Sequence, residues 1–238
     1  DLFHWARNPK GEFGVEIEVE GGPFPEGSPT NWQRVEDHSL RNGGVEYVIR
    51  NPLREDNVRG ALETLRDFLE DTPLSFTYRT SVHVHVNVQD LTLKQWVNFL
   101  VAFTILEEAL VDVVGPKRAG NKFCLRAVDA DETLRQVRDN LRSGNITAGL
   151  GGDLKYASMN IVATLTHGTL EFRAMEGNLD VDRITQWVNV LSRIKDYARQ
   201  ADDPTAIVGE MSQWGPAMWA ARVLPDNDLT RQLFARQD

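Results

Sequence analysis

The chain has 238 residues, 41% of them hydrophobic, enough apolar mass for one continuous core. Its formal net charge of -9 argues against broad nucleic-acid binding or adhesion to an anionic membrane, and its one cysteine, Cys124, rules out an intrachain disulfide. No apolar run reaches the roughly 18 residues that span a bilayer, and no charged start followed by an apolar stretch resembles a signal peptide, so a cytoplasmic protein is expected.

Residues 13 to 20, Phe-Gly-Val-Glu-Ile-Glu-Val-Glu, alternate strictly and predict a half-buried strand, with Val15, Ile17 and Val19 on one face and Glu16, Glu18 and Glu20 on the other. A Pro/Gly-rich loop then leads past Trp32 and Glu36-Asp37-His38-Ser39 to Gly43-Gly44, which turns into a second strand over Val45–Ile49. The apolar stripe Val58, Ala61, Leu62, Leu65 and Leu69 predicts a helix from an Asn57 cap to Glu70. Alternation returns over Phe76–Val88, where His83, His85 and Asn87 oppose the valines. Residues 92–114 form the strongest helical run and end at Gly115-Pro116. A polar helix is expected over Asp131–Arg142, followed by a glycine-rich segment, Gly149 to Gly152, that reads as a mobile lid. Two strands, 155–163 and 168–174, are expected around a turn at His167-Gly168. Asp180 caps a helix to about Ala201, and the tail over 204–238 reads as shorter helices. Nothing marks a linker, so one domain over 1–238 is expected.

Glu16 and Glu18 are two residues apart, which sets them about 6.6 Å apart on one strand face. A solvated strand face fits that spacing; so do ligands for adjacent cations, and a row of glutamates is otherwise a poor choice for a strand. His83 and His85 repeat the geometry with side chains that suit divalent metals when neutral and phosphates when charged. No closed zinc motif is present, and glutamate oxygens point to magnesium or manganese. Glu171 and Arg173 share a third strand face. They fit a surface ion pair, or a carboxylate and guanidinium that neutralise charge during phosphoryl transfer.

Phe13-Gly14-Val15-Glu16-Ile17-Glu18-Val19-Glu20, Asp37-His38-Ser39-Leu40 with Gly44-Val45-Glu46, His83-Val84-His85-Val86, and Gly168-Thr169-Leu170-Glu171-Phe172-Arg173 occur in the order found in the amidoligase family. The chain resembles that family over roughly residues 11 to 190, and the family is similar to the carboxylate-amine ligases glutamine synthetase and glutamate-cysteine ligase. The resemblance implies that one Mg2+ or Mn2+ is held by Glu16, His83 and Glu171, and a second by Glu18 and Glu46 with either Asp37 or Glu36. It places His85 near the transferred phosphate and Arg173 at the phosphorylated intermediate, with Lys155, Tyr156 and Asn160 on the strand before Glu171; His85, Lys155, Asn160 and Arg173 are the expected ATP contacts. The chain departs from the family pattern at His38, where a glycine often follows the aspartate. Cys124 sits where the family often has cysteine and is expected to be a packed side chain.

The implied fold is α+β: a curved antiparallel sheet forming a metal and nucleotide funnel, backed by helices, as in glutamine synthetase. The implied activity is ATP-dependent amide-bond formation through an acyl phosphate, from small-molecule or peptide carboxylate and amine substrates. Glu176 and Asp180 are candidates for the base that deprotonates the amine. Two rival readings are a two-metal hydrolase of phosphoesters or amides and a non-catalytic descendant that binds nucleotide or a partner. Oligomeric state is not legible in the residues.

Overall fold

The computed structural model describes residues 12–119, 124–127 and 156–235, together with Arg135, Asp139 and Arg142. These residues form an α+β fold with a seven-stranded, open antiparallel sheet and seven α-helices. In chain order the strands are β1 (Phe13–Gly21), β2 (Trp32–Glu36), β3 (Val45–Ile49), β4 (Leu74–Ser75), β5 (Ser81–Asn87), β6 (Met159–Asn160) and β7 (Thr169–Glu176). Their spatial order is β2-β3-β1-β5-β7-β6, and β4 adds to the far end of β1. The helices are α1 (Glu55–Phe68), α2 (Leu93–Val114), α3 (Ala163–His167), α4 (Val181–Gln200), α5 (Pro204–Trp214), α6 (Pro216–Val223) and α7 (Asp228–Ala235). No described helix is long and apolar enough to cross a membrane.

The two-residue period of β1, β5 and β7 gives the sheet one dry face. Phe13, Val15, Ile17, Val19, Val82, Val84, Val86, Leu170 and Phe172 are buried in the hydrophobic core. Phe99 and Phe103 of α2 pack on Phe172 with ring centroids 5.6 and 4.8 Å away. Helix α4 adds Trp187, Val188, Leu191 and Ile194 to the same core. The 22-residue helix α2 starts in a capping box, Thr92 exchanging hydrogen bonds with Gln95, and stops at Gly115.

The predicted strands at 13–20 and 45–49 and the helices at 92–114 and 181–200 are present, as are short helices in the tail. Several boundaries differ. Trp32–Glu36 is a strand paired to β3, which single-strand alternation does not reveal because only Trp32 is buried along it. Trp32 is docked by its indole N–H, which donates to the Ala61 carbonyl of α1 at 2.8 Å. Helix α1 begins at Glu55, so Asn57 lies inside the first turn and does not cap it; Glu55 and Asp56 meet the positive helix end. Phe76–Thr80 leaves the extended conformation in a turn closed by Thr77 and Thr80, so β5 begins at Ser81. The expected strand over 155–163 is reduced to Met159–Asn160 among the described residues, and Ala163–His167 is helical despite its β-branched residues. There Asn160 Oδ1 accepts from Val162 N at 3.0 Å, and Gly168 ends the turn at φ 68°, a left-handed conformation that glycine adopts without steric cost. Of the Asp131–Arg142 helix, Arg135, Asp139 and Arg142 are helical; its remaining residues and the Gly149–Gly152 lid lie outside the described residues.

Gly115 fixes how α2 meets the sheet. A Cβ at this position would stand 1.9 Å from the Ala174 carbonyl oxygen on β7. Gly115→Ala is expected to lower unfolding free energy by about 1–3 kcal/mol through overpacking, read as a lower denaturant midpoint with an unchanged slope.

Candidate active site

The polar side chains reach one another because the sheet register makes them direct neighbours. Glu16 of β1 lies opposite His83 of β5, Glu18 of β1 opposite Glu46 of β3, and Glu171 of β7 opposite both His85 of β5 and Asn160 of β6. Opposed residues stand about 4.5–5.5 Å apart at Cβ, close enough for short polar side chains to touch.

His83 Nδ1 is 3.1 Å from Glu16 Oε2 and 3.4 Å from Glu171 Oε1, so Glu16, His83 and Glu171 converge. His85 Nε2 is 3.2 Å from Glu16 Oε1, and its Nδ1 is 2.9 Å from the Thr169 hydroxyl. Among the described residues, ligand atoms of Glu16, His85 and Glu171 lie within 4.8 Å of one another, as do those of Glu16, Glu46 and His83. Glu16 belongs to both groups. Glu18 adjoins the second, with Oε1 3.8 Å from His83 Nε2. Asp37 is half-buried, while Glu36 is exposed at the end of β2. Asp37 lines a cavity with Glu18 and accepts hydrogen bonds from the Ser39 amide and hydroxyl at 2.8 and 2.9 Å.

Arg173 donates to Glu171 Oε1, and Asn160 Nδ2 donates to Glu171 Oε2 at 2.6 Å, so both oxygens of that carboxylate are oriented. Lys155 lies outside the described residues. Cys124 is fully buried, and burial raises its thiol pKa against the opposing effect of Arg118, as a packed side chain would have it. Asp180 is the α4 N-cap, accepting from Arg183 N at 3.0 Å. Glu176, across from Ser81, has Oε2 buried without a hydrogen-bond partner. Glu20, third on the β1 face, is buried separately and accepts from Arg41 N at 2.7 Å.

Ser81 is a residue that the motif reading passes over, although it sits two positions before His83 on the same face. Its hydroxyl is 2.5 Å from Glu18 Oε2 and 2.7 Å from His83 Nε2. A carboxylate only accepts, so Ser81 gives its one proton to Glu18 and takes the Nε2–H of His83. His83 Nδ1 then faces the carboxylates of Glu16 and Glu171.

Two cavities flank the cluster. Glu16 and His85 face a larger one of about 300 Å³, walled also by Val48, Ile49, Pro52 and His167. Glu18 and Arg173 face a smaller one of about 120 Å³ that includes Arg79 and Arg118.

A family model described as "Putative amidoligase enzyme" matches residues 44–195. The chain belongs to this amidoligase family. The matched segment carries Glu46, His83, His85, Asn160, Glu171 and Arg173, whereas Glu16, Glu18 and Asp37 precede it. Among curated proteins, none matches the chain.

Burial opposes ionisation of Glu16, yet hydrogen bonds and charge from His83 and His85 hold its carboxyl far below the usual range. Burial likewise opposes Glu171, but His83 and Arg173 keep it low. Burial disfavours charge on His85, but the hydrogen bond it donates to Glu16 and the negative charges of Glu16 and Glu171 together outweigh it, raising the imidazole pKa. Glu46 goes the other way: burial, then the charges of Glu16, Glu18 and Asp37, push it up to about 9. Two half-buried carboxylates in contact share a proton unless a cation replaces it, and an oxygen-rich set with imidazole nitrogen fits magnesium or manganese.

The sign of the pH dependence follows. Glu46 is protonated at pH 7 in the metal-free fold, with a folded pKa of about 9 above its ordinary 4.5. Its stabilising contribution is complete below about 4.5 and falls as pH rises toward about 9. A divalent cation bound beside Glu46 would have to displace that proton, so its affinity is expected to increase with pH over this window with release of protons, measurable by calorimetry in buffers of different ionisation enthalpy. Glu46→Gln keeps a donor toward Glu16 at every pH. It is expected to melt higher than wild type at alkaline pH without metal and to gain less than wild type in melting temperature when Mg2+ is added.

Proposed function

We propose that the protein is an ATP-dependent carboxylate-amine ligase with a glutamine synthetase-like catalytic fold, working through an acyl phosphate. The observation that carries this reading is the convergence of Glu16, His83 and Glu171, with Arg173 paired to Glu171, in a chain of the amidoligase family. Glu16, Glu46, His83 and Glu171 would hold Mg2+ or Mn2+ with Glu18 and Asp37 alongside, and the ions would supply charge neutralisation on the triphosphate.

The residues divide the work. Ser81 and Asn160 hold His83 and Glu171 in orientation. The larger cavity, with Val48, Ile49 and Pro52 as apolar wall and His85 and Asn87 as polar contacts, takes the nucleoside. Arg173 neutralises charge on the oxygens of the phosphoryl group as it passes to the substrate carboxylate. A carboxylate is a poor electrophile, and phosphorylation gives it a leaving group that an amine displaces, forming the C–N bond and releasing phosphate. Holding acid, nucleotide and amine together supplies orientation and excludes water from the acyl phosphate.

Two measurements test this. ATP binding followed by calorimetry is expected to need Mg2+ or Mn2+, because the acidic cluster repels a bare triphosphate; equal affinity in excess chelator would remove the metal from the argument. With a heavy-oxygen-labelled carboxylate substrate and an amine, ADP and labelled phosphate are expected, and Arg173→Ala is expected to lower kcat about a hundredfold. AMP and pyrophosphate, or unlabelled phosphate alongside amide, would rule out the mechanism.

A further inference from the structure

Glu20 is the member of the β1 polar face that the proposed chemistry leaves unused. It is 1% exposed, and it belongs to neither group of converging ligand atoms among the described residues. A carboxylate taken out of water is costly unless hydrogen bonds hold it. Glu20 Oε1 accepts from the Arg41 amide at 2.7 Å, a charge-assisted bond to the backbone of the connection between β2 and β3.

That connection is compact and packs directly on β1. Asn42 and Gly43 have positive φ, 54° and 68°, and Gly44 N donates to the Arg41 carbonyl at 2.9 Å, the pattern of an Asn-Gly hairpin turn. A Cβ on Gly44 would lie 2.9 Å from the Val19 carbonyl oxygen and 3.1 Å from Glu20 Cγ, so the chain re-enters the sheet against Glu20 itself. Upstream, Asp37 accepts from the Ser39 amide and hydroxyl, and Leu40 N donates to the Asp37 carbonyl at 3.2 Å. This first turn ends immediately before Arg41, so a shift at the Arg41 amide is carried to Asp37. The outer side has a tie of its own: Arg41 Nη2 donates to the Tyr78 hydroxyl at 3.1 Å, and Arg79 Nη1 donates to the Ser39 carbonyl at 2.7 Å. Tyr78 is 50% exposed, so water competes with that tie far more than with the buried Glu20 carboxylate.

The sheet register cannot do this work for Asp37. Glu18 and Glu46 are placed by direct pairing of β1 with β3, but Asp37 follows the last residue of β2 and has no partner in the ladder. We propose that Glu20 is a positioning residue, which through the Arg41 amide holds the 37–44 connection so that Asp37 stands with Glu18 and Glu46 as a ligand of the second cation. Asp37 shares the smaller cavity with Glu18, and its charge is felt at Glu46. The inference rests on the cation reading of the proposed ligase.

The test counts Mn2+ on the full chain without nucleotide, from the loss of the free ion's paramagnetic resonance signal. Wild type is expected to show two sites, one for each group of ligand atoms. Glu20→Ala is expected to weaken one of them by about tenfold or more, as loss of a residue that orients a ligand does, and to leave the other unchanged. Glu20→Gln removes the charge and keeps an acceptor for the Arg41 amide, so it is expected to restore the affinity; this separates position from electrostatic attraction. Asp37→Ala is expected to weaken the same site, and Glu20→Ala added to it to cost nothing more, whereas general loosening of the fold would add to the loss. Should Glu20→Ala not fold, Glu20→Asp, one methylene short of the Arg41 amide, carries the same expectation. Wild-type Mn2+ affinity in the shortened variant, failure of Glu20→Gln to restore it, or an additive loss in the double variant overturns the inference and leaves the ligase reading standing. Absence of Mn2+ binding by wild type overturns both.

Discussion

Glu16, Glu18, Glu46 and Glu171 are carboxylates on β1, β3 and β7, with β5 between β1 and β7, placed by register on one face of one sheet, where they repel. Everything around them limits that repulsion. His83 and His85 bracket Glu16, Arg173 and Asn160 occupy the two oxygens of Glu171, Ser81 occupies one oxygen of Glu18, and Glu46 keeps a proton. The compensation is by hydrogen and positive charge, the same currency a divalent cation would supply in the proposed ligase.

The opposite face makes the arrangement rigid enough to persist. Valines of β1 and β5 and Phe172 of β7 are fully buried against α2 and α4, so sliding a strand by one residue would turn every glutamate and histidine into the core. The cost of that slip, charges without partners in an apolar interior, is far larger than the repulsion it would relieve. A second buried network anchors the flank of the site: Glu107 on α2 accepts from Ala127 N at 2.7 Å and from the Ser158 hydroxyl, and Ser158 in turn accepts from Arg173 N at 2.7 Å through its carbonyl. The backbone that carries Arg173 is therefore tied to α2 by polar contacts as well as by packing.

The proposed division of labour follows from the i, i+2 spacing on β1. Glu16 faces the larger, more apolar-walled cavity and Glu18 the smaller, arginine-lined one, so the cluster lies between two spaces of different character. A transferred group passing between two substrates needs that geometry, with charge stabilisation at the boundary and distinct recognition on either side.

The alternation over residues 13–20 and 82–88 and at Glu171 and Arg173 determined from sequence alone which side chains share a face, because the strand period of two is a local property. The same local logic carried α2 and the Asp180 cap, since a long apolar stripe and a capping side chain act within a few residues. Sequence did not show β2, whose single buried tryptophan is recognised by α1, or the helical turn at 163–167, where Asn160 and Gly168 override β-branched preference. Nor did it show that Glu16 belongs to both ligand groups, that Glu46 keeps a proton, or that Ser81 orients His83. Those depend on cross-strand register and burial. Arg79 and Arg118 were the least visible, because they enter from turns 39 residues apart in the chain and only the folded sheet brings them to the cavity beside Glu18.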